Sequence, residues 1–188
     1  VQDTVPYQED ALVHPGSPYA VSKLAAEYYI RTIAEESKVE AVCLRIFNAY
    51  GPGQRVTLSN PPIIPNFLRH ALSNGSIVIH GDGMQTRDYV YLDDVVDALI
   101  SAATAHGVDQ EIINIGSGVE TSVNELARLV RMVTDKRPEQ IFNPKRDGGA
   151  ERMCADISKA ERLLNYLPKV PLEAGLRLTI DKDPLLQL

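Results

Sequence analysis

Apolar and polar positions divide the chain into alternating helical and extended segments. Pro15, Ser17 and Pro18 precede a helical pattern running from Tyr19 to about Glu36. Ser17 suits the N-cap, where a hydroxyl accepts a free backbone N–H, and Pro18 suits the first helical position. Residues 39–47 are rich in β-branched and apolar side chains and predict a buried strand. Residues 48–62, rich in Gly, Pro and Asn, predict a long loop of the kind that carries function. A helix over 63–73 and a short strand over 77–80 follow, then a turn at Gly81-Asp82-Gly83 and an extended run over 86–92. Asp93 is expected to start a helix through Ala105, and 111–115 to form a strand. Ser122 and Glu125 have the spacing of a capping box, which opens a helix to about Thr134. A strand over 140–143, a helix capped by Asp156 and running to about Tyr166, and a last helix over 172–181 complete the pattern. Such alternation predicts an α/β fold with a parallel sheet, although the strands are few for a doubly wound one.

Composition narrows the function classes. The chain has 188 residues, 44% hydrophobic and 23% charged, with no repeat and no apolar run of membrane-spanning length. Its net charge of −6 disfavours general nucleic-acid binding, which needs a basic field. A bound phosphate is expected to meet a few placed arginines instead. Cys43 and Cys154 show neither a disulfide framework nor metal spacing, so packed, reduced thiols in a cytoplasmic protein are expected. His14, His70, His80 and His106 show no metal-ligand spacing. The opening Val1-Gln2-Asp3-Thr4 reads as mid-protein sequence rather than a signal peptide or a natural start.

The most informative pair is Tyr19 and Lys23, four apart on a helix and therefore on one face. A free tyrosine ionises near pH 10, and a neighbouring cation favours its phenolate. Such a phenol can accept a hydroxyl proton while hydride leaves the same carbon. The alternative for this spacing alone is a solvated helix face.

The surrounding blocks separate these readings. The run from Ser17 to Glu27, SPYAVSKLAAE, resembles the active-site helix of extended short-chain dehydrogenases. Leu44–Gln54 (LRIFNAYGPGQ), Gly81-Asp82-Gly83 with Arg87-Asp88-Tyr89, Asn114–Gly118 (NIGSG) and Ala155–Ala160 (ADISKA) resemble further blocks of that family in the same order. The likeness covers nearly the whole chain and is nearest to the UDP-glucose 4-epimerases and 4,6-dehydratases.

The resemblance implies the C-terminal part of a doubly wound, Rossmann-type NAD-binding domain plus a small α/β substrate domain. Residues 1–48 and 88–115 would belong to the first, and 49–87 and 116–188 to the second. It implies NAD as cofactor, Tyr19 and Lys23 as the catalytic and cofactor-contacting pair, and a nucleotide-sugar substrate held by Asn48, Arg87, Tyr89 and Arg146. Guanidinium forks suit phosphate oxygens, and an amide positions without adding charge. On residue type alone, Asn48 is equally a turn residue, and Tyr89 and Met153 are equally core. The likeness departs at Gly149, where the family carries a carboxylate that touches the nucleotide ribose.

The implied reaction is epimerisation through a 4-keto sugar. The rivals are a 4,6-dehydratase and a non-catalytic binding protein that kept the fold. The family's Gly-rich cofactor fingerprint and its catalytic Ser or Thr would lie upstream of Val1, so this chain alone is expected to be inactive. A homodimer is expected of the full-length protein, through a bundle that includes the Tyr19 helix. Gly116-Ser117-Gly118 between strand and helix suggests a dinucleotide turn, but Thr121 stands where the third glycine is needed.

Overall fold

The computed structural model describes residues 5–56, 61–144 and 151–187. Among the described residues, six helices and seven strands run in the order α1 (Pro18–Ser37), β1 (Cys43–Ile46), β2 (Asn48–Tyr50), α2 (Ile63–Leu72), β3 (Ile77–His80), β4 (Thr86–Tyr91), α3 (Leu92–Thr104), β5 (Ile112–Ile115), β6 (Glu120–Ser122), α4 (Val123–Thr134), β7 (Gln140–Asn143), α5 (Ser158–Leu164) and α6 (Leu172–Lys182).

Local chemistry sets most of these ends. The Ser17 hydroxyl accepts the Ala20 N–H at 3.1 Å with Pro18 in the first turn, and α1 ends at a left-handed Lys38. The Ser122 hydroxyl accepts the Glu125 N–H at 3.1 Å and opens α4. Asp156 is not the cap of α5. Its carboxylate accepts the Ser158 N–H at 3.0 Å, Ile157 holds the cap position, and the helix therefore starts later than its acidic signal suggests.

The strands form three small sheets. β1 pairs with β5, and β3 with β7, both parallel. In the third sheet β4 is central, parallel to β2 and antiparallel to β6. The first residues of the expected 48–62 loop thus form a strand, Asn48–Tyr50, in register with Tyr89–Tyr91. The antiparallel β6 is a second departure from the all-parallel expectation.

Two apolar clusters organise the packing. The larger gathers β3, β4, α2, α4 and α6 around Phe67, Leu68, Ile77, Ile79, Leu126 and Leu176. The smaller joins α3, β5 and α5 through Ala98, Ile113, Ile115, Ala160 and Tyr166. The chain after Gly116 therefore contributes to both clusters, because α5 folds back onto β5. Burying a large aliphatic or aromatic side chain contributes ~1.5–3 kcal/mol. These clusters make β4 and its neighbours the firm floor on which the cleft described below rests.

Candidate active site

α1 carries Tyr19 and Lys23 within its first two turns. The Lys23 ammonium lies over the Tyr19 ring, 5.5 Å from its centroid, a cation–π arrangement. The phenol is 71% exposed and lines a cleft of about 750 Å³. Further along the helix, Arg45 of β1 grips Glu27 with a bidentate pair at 2.9 and 2.7 Å, and its third nitrogen donates to the Glu9 carbonyl at 3.1 Å. That fork ties α1 to the β1–β5 sheet.

The opposite wall comes from the β2–β4 pair. Asn48, Arg87 and Tyr89 all line the cleft with Tyr19. The Asn48 amide nitrogen donates to the Asp88 carbonyl at 3.0 Å and lies 3.5 Å from the Met153 sulfur. This places half-buried Met153 beside a cleft residue, not in either apolar cluster. One Arg87 nitrogen donates to the Thr86 carbonyl at 2.6 Å.

Tyr89 is 5% exposed, and its hydroxyl has no hydrogen-bond partner among the described residues. Burial pushes its ionisation up to about 12, against a smaller opposing pull from Arg87. A desolvated phenol is harder to ionise because the charged form loses more hydration than the neutral one. Arg146 and Gly149, the second arginine and the departure from the family pattern, lie outside the described residues.

Four polar cleft residues escape the sequence reading: Gln54, Asn66, His80 and Gln85. One His80 ring nitrogen and the Gln54 side-chain oxygen are buried without partners among the described residues. The signal available was position: His80 closes an apolar strand before a Gly-Asp-Gly turn, and Gln54 follows Gly-Pro-Gly.

The Gly116-Ser117-Gly118 turn does not cradle a phosphate. Its Ser117 and Gly118 N–H groups are spent on the Asp88 carboxylate at 2.7 and 3.0 Å. Burial pushes the Cys154 thiol up to about 11, with the Asp88 and Glu120 charges adding to it, and raises that of Cys43. Thiolate character is what makes cysteines reactive, so neither thiol is a candidate nucleophile.

Residues 1–116 match the model of the NAD dependent epimerase/dehydratase family. The chain belongs to this family. Among its relatives is a putative UDP-glucose 4-epimerase of Methanocaldococcus jannaschii, 37% identical over 94% of this chain and 56% of that protein. A dTDP-D-glucose 4,6-dehydratase of Homo sapiens is 34% identical over 93% of this chain and 50% of its own length. Among solved structures, the UDP-glucuronic acid 4-epimerase of Bacillus cereus, in complex with UDP-glucuronic acid and NAD, superposes with a TM-score of 0.88 at 31% identity, over 97% of this chain and 57% of that one. The chain spans about half the length of the curated relatives it matches. Membership in this NAD-dependent family and the close superposition establish a Rossmann-related α/β fold. Among the described residues, no helix is long and apolar enough to cross a membrane.

Proposed function

We propose that this chain forms the sugar-nucleotide side of an NAD-dependent nucleotide-sugar 4-epimerase, acting on a UDP-sugar. The observation that carries the reading is the meeting of the Tyr19 phenol, with the Lys23 ammonium over its ring, and Asn48, Arg87 and Tyr89, which line one cleft with Tyr19. Its volume of about 750 Å³ lies within the roughly 300–1,000 Å³ typical of small-molecule sites. The relatives named as UDP-sugar epimerases support the substrate class.

The residues present fit the cofactor in part. Exposed Tyr19 offers a phenol at the cleft and exposed Lys23 an ammonium over its ring, the donors a nicotinamide ribose needs. A pyrophosphate is not held by the 116–118 turn, whose N–H groups are committed. We assign that task to the Gly-rich fingerprint on the remaining half of the full-length enzyme. Bound NAD supplies the reversible hydride acceptor at the sugar C4.

Tyr19 Oη takes the 4-hydroxyl proton as C4 becomes a carbonyl, and the Lys23 cation beside the ring stabilises the charge on that oxygen. Arg87 holds the diphosphate, Asn48 orients it by its amide, and the buried Tyr89 hydroxyl offers the ligand a hydrogen bond. Arg146 is assigned a second diphosphate contact. The 4-keto sugar turns within the cleft, and Tyr19 returns the proton to the C4 oxygen as the hydride returns to the opposite face of C4.

We assign residues 1–48 and 88–115 to the NAD-binding domain and 49–87 and 116–188 to the substrate domain, with α5 reaching back onto β5. The full-length enzyme is assigned to the cytoplasm as a homodimer. The exposed Tyr28, Tyr29 and Ile33 on α1 suit a helical interface.

The test is conversion of UDP-glucose and UDP-galactose by the full-length protein with NAD. Equilibration of the two C4 epimers supports the reading, and turnover of neither defeats it. The human relative favours one further reading, a 4,6-dehydratase acting on a dTDP-sugar. Accumulation of a 4-keto-6-deoxy sugar in place of the epimer decides for it.

A further inference from the structure

Asp88 is wholly buried, and no step above uses its side chain. It lies in β4 between Arg87 and Tyr89, both of which line the cleft. Successive side chains of a strand point to opposite faces, so the Asp88 carboxylate faces away from the cleft. There one oxygen accepts the Ser117 N–H at 2.7 Å and the Ser117 hydroxyl at 2.6 Å. The other accepts the Gly118 N–H at 3.0 Å and the Ala155 N–H at 3.1 Å.

All four donors are uncharged, and a carboxylate taken out of water persists only where such donors replace its hydration. The fit is tight: a Cβ on Gly116 would stand 2.5 Å from the carboxylate. The Asp88 backbone carbonyl receives the Asn48 amide, whose other neighbour is the sulfur of Met153, two residues before Ala155.

We propose that Asp88 is a positioning residue for substrate binding. Its carboxylate clamps the 116–118 turn and the 153–155 segment to the back of β4, which fixes the strand's rotation. Arg87, Tyr89 and Asn48 are thereby held toward the sugar nucleotide. Asp88 touches no ligand and acts through these three side chains. The proposal rests on the assignment of the cleft to a UDP-sugar.

The test uses the full-length enzyme. In Asp88→Asn an amide NH2 replaces one acceptor oxygen and confronts N–H donors. KM for the UDP-sugar and the Kd for UDP are expected to rise by about tenfold or more, with kcat changed by less than about threefold, as the loss of one charge-assisted contact allows.

Asp94→Asn is the control for mere loss of stability. Asp94 is also buried and accepts two backbone N–H groups, those of Lys169 and Val170, but does not line the cleft. It should lower Tm and leave KM unchanged. In an Asn48→Ala background the Asp88→Asn effect on KM should be smaller than in the wild-type background, since one of the three side chains it acts through is gone and coupled residues are non-additive. Should Asp88→Asn fail to fold, Ser117→Ala removes one donor, and a roughly twofold to threefold rise in KM is expected.

An unchanged KM in the foldable variant, an equal rise in Asp94→Asn, or full multiplicativity with Asn48→Ala overturns the role of Asp88. A wild-type enzyme that neither binds UDP nor turns over a UDP-sugar refutes the assignment of the cleft instead, and this role with it.

Discussion

Replacing Tyr89 by Phe should make the ligand-free protein more stable, and increasingly so as pH rises. The hydroxyl is buried without a partner among the described residues, and leaving such a group unsatisfied costs ~1–3 kcal/mol. Taking it away while keeping the ring should recover about 1 kcal/mol at pH 8, the lower end of that range. The pH dependence comes from ionisation, which burial moves from 10.0 to about 12. Below pH 10 the folded and unfolded chains both hold the phenolic proton, and stability is unaffected. Above pH 10 the unfolded chain releases it while the folded chain does not, so stability falls until the folded form also ionises near pH 12. At ~1.4 kcal/mol per tenfold ratio, this tyrosine costs wild type roughly 1.4 kcal/mol by pH 11, a loss Tyr89→Phe escapes. Tyr50 and Tyr166 are also pushed upward by burial, but their contribution is common to both proteins and cancels in the difference. Urea unfolding of both proteins at pH 8 and pH 11 reads this directly. The gap should widen by more than about 1 kcal/mol between the two. A variant less stable than wild type at pH 8, or a gap that does not grow, refutes the account of a desolvated, unpartnered hydroxyl.

In the full-length enzyme, Tyr19→Phe should lower kcat by about 10²–10⁴ with the Kd for the nucleotide sugar nearly unchanged, and near-normal turnover would remove the phenol from the chemistry. Glu27→Ala leaves the Arg45 fork unpaired on one side and should cost about 1–3 kcal/mol in denaturant unfolding; no change would show that the tether of α1 lies elsewhere. Gly175→Ala places a Cβ on the Tyr50 hydroxyl inside α6, and overpacking of this kind costs about 1–3 kcal/mol, so an unchanged Tm would contradict the close approach described.

Elements whose signals are local were legible in the sequence. Ser17 with Pro18, and Ser122 with Glu125, announced α1 and α4 because a cap is a contact between near neighbours. The strands 77–80 and 140–143 stood out as short extended runs and were found as read. The three-residue β2 and β6 were not legible. Each exists because it pairs with β4, some 40 and 34 residues away in sequence, and nothing within three residues foretells that. The site divides the same way. Tyr19 and Lys23 meet through one helix turn, which spacing alone predicts. The convergence of Asn48, Arg87 and Tyr89 depends on sheet register and was legible only through the family's pattern of blocks. Gln54 and His80 carried only a positional signal, because the loop path and the β3 pairing decide which way they face.

The placement of the phenol and ammonium so near the start of α1 has a kinetic consequence. Helix ends open at little free-energy cost, and here the first firm lateral anchor is the Glu27–Arg45 fork, about two turns beyond Tyr19. Unwinding of those turns would part the two groups without disturbing the rest of the fold. On the role proposed for Tyr19, the Ser17 hydroxyl that caps α1 is a latch on the fraction of time the base is assembled.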